Sequence, residues 1–280
     1  MNYRHAFHAG GFADVVKHAL LVLLIEHLRK KETPFRVLDT HAGPGWYDLA
    51  GDEAARTGEA QDGVVRLLAD PAAPPAALAA YIDCLKRANT SWPELRTYPG
   101  SPAIARMLLR PQDRLVAVEL HPEDARLLKR AFAHDRQVAI HASDGYAALR
   151  AFLPPAERRG LVLIDPPYER PDENRSLARA LADAVTRFRG GIFAVWYPIK
   201  DPAVVRRFHD ELATLGRPTL AAEFMRFAPD DPTRLNGTGL AVINPPWQFD
   251  TGAKDILAAL AERLGAAGGV RVAALTSGPT

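Results

Sequence analysis

Four consecutive residues, Asp165-Pro166-Pro167-Tyr168, follow the apolar run Leu161-Val162-Leu163-Ile164 and combine groups that suit a planar amine. The two prolines fix φ and remove two N–H donors, so the chain leaves the run rigidly and the Pro166 carbonyl has little freedom. A carboxylate and a fixed carbonyl can together accept both hydrogens of an exocyclic –NH₂, while the ring of Tyr168 offers a face on which a base can stack. Holding both hydrogens favours a pyramidal nitrogen, whose lone pair is released from the ring and can attack an electrophilic methyl group. The bland reading, a proline-rich strand end with a buried tyrosine, leaves the Asp165 carboxylate without a task.

A second set lies upstream. Val37-Leu38-Asp39-Thr40-His41-Ala42-Gly43-Pro44-Gly45 places glycines directly after an apolar run, where a backbone without side chains lets a nucleotide-like ligand approach closely. Glu119 ends the next run, in the position from which a carboxylate can bind both ribose hydroxyls, and Asp144-Gly145 ends the one after, where an adenine ring can lie. A dehydrogenase would also want a glycine turn and a carboxylate. It gives no role to Asp165-Pro166-Pro167-Tyr168, and the turn lacks the usual three-glycine spacing.

These residues need a scaffold that brings strand ends together. Short apolar runs alternate with helical stretches, the pattern of an α/β fold with a mostly parallel sheet. The strands expected are Arg36 to Leu38, Arg114 to Val118, Gln137 to Ile140, Leu161 to Ile164, Ile192 to Trp196, Leu220 to Phe227 and Gly239 to Ile243, the last two forming a terminal antiparallel hairpin around Pro229-Asp230-Asp231-Pro232. The interval from Asp39 to Glu119 is too long for one strand-helix unit, so residues 47–113 are expected to be a small helical insertion within a single domain spanning 1–280. Its helices should run from Glu59 to Ala69, Pro75 to Asn89 and Pro102 to Leu109, with Ser101-Pro102 as the N-cap and first turn of the last.

Composition narrows the function class. The chain of 280 residues is 48% hydrophobic and 24% charged, which excludes whole-chain disorder. Its 35 Lys and Arg against 33 Asp and Glu leave +2, so any nucleic-acid site must be a local patch. Residues 1–31 are locally basic and end in Arg29-Lys30-Lys31. The single cysteine, Cys84, cannot form an internal disulfide or a thiolate-rich zinc site, which points to a reducing, cytoplasmic setting. The apolar run Ala19 to Ile25 is too short to cross a bilayer and no cleavage site follows it, so neither anchor nor signal peptide is expected.

The order of glycine turn, two acidic strand ends and Asp165-Pro166-Pro167-Tyr168 resembles the class I, Rossmann-like S-adenosylmethionine-dependent methyltransferases that act on amino groups. The opening, from Tyr3-Arg4-His5 through Gly10-Gly11-Phe12-Ala13-Asp14 to Lys17-His18, is similar to that of the RlmJ family of 23S rRNA adenine methyltransferases. Tyr98-Pro99-Gly100-Ser101-Pro102, Arg158 to Glu169 and Trp196-Tyr197-Pro198 extend that resemblance over essentially the whole chain. It implies methyl transfer from S-adenosylmethionine to the exocyclic nitrogen of one adenine of 23S rRNA, by a monomer needing no membrane and no obligate protein partner. Carried over by matching motif, Asp165 with Pro166 and Tyr168 would be catalytic. Tyr3, His5 and Lys17 would act on the RNA side, the first two within an N-terminal arm of residues 1–12. His18, His41, Gly43, Ser101, Glu119, Asp144 and Gly145 would line the cofactor site. Gly11 departs from the family, which is expected to carry Asn there more often. The rivals are a DNA adenine methyltransferase, disfavoured because no separate target-recognition domain is evident, and a non-catalytic nucleic-acid-binding protein that has kept the fold.

Three features have plainer explanations. Asn244-Pro245-Pro246-Trp247 mimics the catalytic motif, but it follows the last strand and carries no charge, so it is expected to be a rigid exit from a sheet edge. His5, His8 and His18 lack a completing cysteine or carboxylate, and no metal site is expected. Asp14 with Lys17 or His18 has the spacing of a helix-surface pair, and Arg206-Arg207 that of a solvated helix face.

Overall fold

Gly160–Ile164 buries all five of its residues, as a strand covered on both faces must. In the computed structural model, which describes residues 7–51, 56–70, 72–169 and 173–276, it lies near the centre of an eight-stranded sheet. The strands are β1 (Arg36–Asp39), β4 (Arg114–Glu119), β5 (Val138–Ala142), β6 (Gly160–Ile164), β7 (Ile192–Ile199), β8 (Thr219–Met225), β9 (Gly237–Ile243) and β10 (Gly269–Ala274). A separate two-stranded ribbon pairs β2 (Trp46–Asp48) with β3 (Thr97–Pro99). The sheet order is β10-β8-β9-β7-β6-β1-β4-β5. Neighbours from β7 to β5 are parallel, whereas β9 runs antiparallel to both β7 and β8, and β10 antiparallel to β8.

The chain turns outward from β1 in both directions, to β4 and β5 on one side and to β6 and β7 on the other. The crevice beyond the carboxyl ends of β1 and β6 is therefore a topological switch point.

Helices cover both faces, each meeting its own hydrophobic core. One face carries α1 (Phe12–Arg29), α2 (Ala79–Ala88), α3 (Ser101–Leu108), α4 (Pro122–Ala131) and α8 (Phe249–Leu264). The other carries α5 (Gly145–Phe152), α6 (Glu173–Arg187) and α7 (Pro202–Ala213). α1 is apolar around most of its girth, from Val15 and Val16 to Leu24, Ile25 and Leu28, and is correspondingly sunk between the sheet, α3 and α8. The architecture is a three-layer, Rossmann-like α/β fold.

Several local expectations change. Residues 249–276, which the strand list above passes over, form α8 and β10. The signal was present: Phe249, Ala253, Ile256, Leu257, Leu260 and Leu264 recur at helical spacing and are buried, and Gly265 at φ 77° ends the helix. The helix expected from Glu59 to Ala69 is broken up, with a π-helical turn at Gln61–Val65 leading into one α-helical turn at Arg66–Ala69. Gly63 is the cause: a Cβ there would lie 2.1 Å from the Gly10 carbonyl oxygen, and the Val64 N–H donates to that oxygen at 2.8 Å. Ser101 is not an N-cap. Gly100 holds that position, and the Ser101 hydroxyl turns toward Asp39 instead.

The described part of the expected arm, residues 7–12, is no free arm either. Ala9, Gly10 and Gly11 are buried, the Gly10 N–H donates to Asp14 Oδ2 at 3.1 Å, and His8 Nδ1 lies 2.7 Å from Glu59 Oε1. A Cβ at Gly11 would meet Glu59 Oε2 at 3.0 Å, so this chain's glycine leaves room for that carboxylate. Finally, Asn244 leaves no sheet edge, because β9 lies between β7 and β8.

Candidate active site

Asp165, released from β6 at the switch point, is the first residue past a fully buried strand. Its Oδ2 accepts from Lys17 Nζ at 2.6 Å, and the same Nζ lies 2.8 Å from Asp14 Oδ1. Lys17 and Asp14 have side chains only 3% and 2% exposed, so this is a buried cation between two carboxylates. Burial alone would push the ammonium down, but Asp14 and Asp165 outweigh it and hold Lys17 above its ordinary value. The Nζ also lies 5.8 Å from the centre of the Trp196 ring. Lys17 thus sits beneath Asp165 rather than on an exposed RNA face, and the pair expected on a helix surface is buried because this side of α1 faces the sheet.

Around Asp165 opens a cleft of about 1030 Å³ including the open solvent at its mouth. Its walls come from the ends of β1, β4, β5 and β6 and from α1 and the start of α3; they include His18, His41, Gly43, Ser101, Glu119, Asp144, Gly145 and Pro166. Glu119 accepts from the Gly43 N–H through Oε2 at 2.8 Å and from the His121 N–H through Oε1 at 2.7 Å, so the glycine turn and the second strand end are joined through one carboxylate. Burial nevertheless pushes its carboxyl up. Asp144 caps α5, Oδ1 accepting from the Ala147 N–H at 2.8 Å. Gly145 must be glycine: a Cβ would lie 2.5 Å from the Thr40 carbonyl oxygen and 2.8 Å from His41 Cε1.

Beneath this floor, Asp39 is 1% exposed and accepts from Ser101 Oγ at 2.6 Å. Burial, and more weakly the negative Asp165, push its carboxyl up to about 7. Burial pulls His41 down to about 4, so its imidazole is neutral at neutral pH. The residues present suit S-adenosylmethionine: a carboxylate at the end of β4 with accepting capacity for a diol, a side-chain-free turn, and polar groups at both ends of the cleft.

The family model described as "Ribosomal RNA large subunit methyltransferase D, RlmJ" matches residues 32–276. The chain belongs to this family. It is 44% identical over 269 residues to the ribosomal RNA large subunit methyltransferase J of Escherichia coli K12, covering 96% of this chain and 95% of the relative. The enzyme of the same name from Haemophilus influenzae is 41% identical over 265 residues, with 94% of each covered. The crystal structure of protein LPL1258 from Legionella pneumophila superposes with a TM-score of 0.88 at 34% identity, covering 95% of this chain and 97% of that one.

One cleft gathers His18, His41, Gly43, Ser101, Glu119, Asp144, Gly145, Asp165 and Pro166, and Lys17, expected on the RNA side, lines it as well. Tyr3 and His5 lie outside the described residues. Tyr168 is absent from the cleft wall: at φ 53° its side chain swings onto the opposite core, where the hydroxyl donates to the Trp196 carbonyl at 2.7 Å and the ring meets Trp196 edge-on at 5.8 Å. A stacking face for a base is therefore not what its ring presents in this structure. The basic run Arg29-Lys30-Lys31 lies at the other end of α1, about 18 Å from Lys17 at the helical rise per residue, beside the start of β1.

Cleft residues that the sequence reading missed include Tyr47, Leu120, Tyr146 and Glu173. Tyr146 directly follows Asp144-Gly145 and could have been found from that motif. Its hydroxyl donates to the buried Glu173 carboxylate at 2.6 Å, a pairing across 27 residues that no spacing rule reveals. Among the described residues no cluster suited to a metal ion occurs, and no helix is long and apolar enough to cross a membrane.

Proposed function

We propose that this protein methylates the exocyclic nitrogen of one adenine in 23S rRNA, with S-adenosylmethionine as methyl donor and Asp165 as the catalytic acceptor. The observation that carries the reading is the Asp165 carboxylate at the switch point, anchored on one oxygen by buried Lys17 and sharing its cleft with Glu119, Asp144 and the glycine turn. The cofactor supplies an electrophilic methyl group on a sulfonium. Glu119 and Gly43 suit the ribose, and Asp144 with Gly145 the adenine of the cofactor.

With Oδ2 held by Lys17, Asp165 keeps Oδ1 to accept one hydrogen of the target amine, and the carbonyl of Pro166, which lines the same cleft, accepts the other. Both bonds draw the nitrogen toward a pyramidal geometry and direct its lone pair, and the same carboxylate can take the proton released on methylation. The target adenine must leave its stack to reach the cleft. Tyr3 and His5 fit the RNA side, while Lys17 acts by positioning Asp165. Residues 47–113 read as an insertion whose β2–β3 ribbon and α3 help to wall the cofactor site. The single cysteine, Cys84, which is buried and cannot form an internal disulfide, suits a reducing, cytoplasmic setting.

The decisive experiment is transfer of labelled methyl from S-adenosylmethionine to purified 23S rRNA fragments and, in parallel, to duplex DNA, followed by nucleoside analysis. Label in N6-methyladenosine from RNA is expected. Label in guanosine or in DNA overturns the substrate assignment, and failure of the protein to bind S-adenosylmethionine in calorimetry supports a non-catalytic binding protein.

A further inference from the structure

Two histidines face the cleft from different elements, and buried hydroxyl groups decide which nitrogen of each carries its proton. Tyr98 Oη lies 2.8 Å from His18 Nδ1 and 3.0 Å from Tyr81 Oη, and all three residues are buried. Burial holds both phenols above their ordinary values, so each keeps its one proton to donate. Tyr81 Oη has no hydrogen-bond partner besides Tyr98 among the described residues. If Tyr98 donated to Tyr81, the Tyr81 proton would be buried without an acceptor, at the full desolvation cost of that group. The arrangement that uses every proton runs one way: Tyr81 donates to Tyr98, Tyr98 donates to His18 Nδ1, and the His18 proton is on Nε2.

His41 is set the other way. Thr40 Oγ1 donates its single proton to the Leu163 carbonyl at 3.0 Å, so at 2.8 Å from His41 Nδ1 it can only accept. His41 therefore carries its proton on Nδ1, and its Nε2 is an acceptor.

We infer that the Tyr81–Tyr98 relay, contributed by the segment between β1 and β4, locks His18 as an Nε2–H donor in the cleft, where it recognises the carboxylate of the cofactor's amino-acid end. The inference rests on the cofactor reading above. His18 directly follows Lys17, whose ammonium is bonded to Asp165, and it lines the same cleft; the carboxylate is the group of the amino-acid end that only accepts. Tyr98 is on this account a positioning residue, and its segment shapes the cofactor site as well as covering the sheet.

Long-range ¹H–¹⁵N correlations of the imidazoles in the full chain at neutral pH test the tautomers directly. His18 is expected as Nε2–H and His41 as Nδ1–H. Tyr98→Phe should convert His18 to a mixture, while Tyr81→Phe should leave it Nε2–H, because Tyr98 still has a proton to donate. In calorimetry Tyr98→Phe should weaken S-adenosylhomocysteine by the share of His18 that leaves the Nε2–H form, about two- to threefold, and leave the affinity for 5′-methylthioadenosine, which lacks the amino-acid end, unchanged. An Nδ1–H tautomer at His18 in the unmodified protein overturns the inference, and so does an equal loss for both ligands in Tyr98→Phe. If neither ligand binds the unmodified protein, the cofactor reading fails, while the tautomers still decide the relay.

Discussion

Asp165-Pro166-Pro167-Tyr168 and Asn244-Pro245-Pro246-Trp247 share a pattern and sit at opposite ends of one sheet. The first leaves β6, which is parallel to β1, and opens into the crevice at the switch point. The second leaves β9, which runs antiparallel to β7, so Asn244 emerges where the parallel strands begin. There Asn244, at φ 53°, donates through Nδ2 to the carbonyls of Arg189 and Gly191 at 3.2 and 2.8 Å, and Trp247 is 83% exposed. One side chain is held by a buried cation within a cleft and the other is used to tie two loops together. A prolyl exit makes a carbonyl rigid; strand direction decides whether that carbonyl meets a ligand.

The contrast breaks most sharply under charge removal. Asp165→Asn should leave the chain folded by circular dichroism and slow methylation of rRNA by about 10²- to 10⁴-fold, the range of a positioned acid–base group, whereas Asn244→Asp should leave the rate per folded molecule unchanged. An active Asp165→Asn enzyme ends the assignment.

Next in size is the cation beneath the first motif. Lys17→Met deprives two buried carboxylates of their partner and should cost about 3–5 kcal/mol in chemical denaturation. Adding Asp14→Asn should restore part of that stability and none of the activity, since Asp165 remains without its anchor. Recovery of both would mean that Lys17 serves folding alone.

Asn244→Ala probes the other side of the comparison. It removes two hydrogen bonds to backbone carbonyls from a residue in the left-handed region, with an expected loss of about 1–3 kcal/mol and no change in methylation per folded molecule. Lost activity at full stability would place this loop in the reaction.

The smallest effect lies in the pH dependence of stability near the first motif. The Asp39 carboxyl is pushed to about 7 from 3.8, so between those values the folded chain holds a proton that the unfolded chain has lost, and this contribution to stability falls as pH rises. His41, pulled to about 4 from 6.5, contributes in the opposite sense, with stability rising through that window. The two largely offset each other in the unmodified protein. Urea denaturation at about pH 4.5 and about pH 6.5 should show Asp39→Asn gaining stability with pH relative to it, and His41→Gln losing it. Parallel behaviour of both variants would contradict the buried environment of this pair.

Most strands and the cleft residues on strand ends were legible because each signal is local: an apolar run, its polar terminus, and a glycine or proline after it. Gly43, Glu119, Asp144, Gly145 and Asp165 all meet around one cleft for that reason. Lys17 was misread because helical spacing reports neighbours on a helix and says nothing about which face is buried. Tyr168 was misread because its ring direction depends on a left-handed φ and on Trp196, 28 residues away.

The sequence alone determined most of the order of strands and helices as far as β9, and the residue types at each strand end, since periodicity and turn chemistry act over a few residues. Tertiary structure alone decided which prolyl exit faces the crevice, which cation anchors Asp165, and how Tyr81 and Tyr98 reach His18. Each of these depends on strand direction or on contacts between distant segments, where burial makes an unpaired proton or charge costly and so selects the partner.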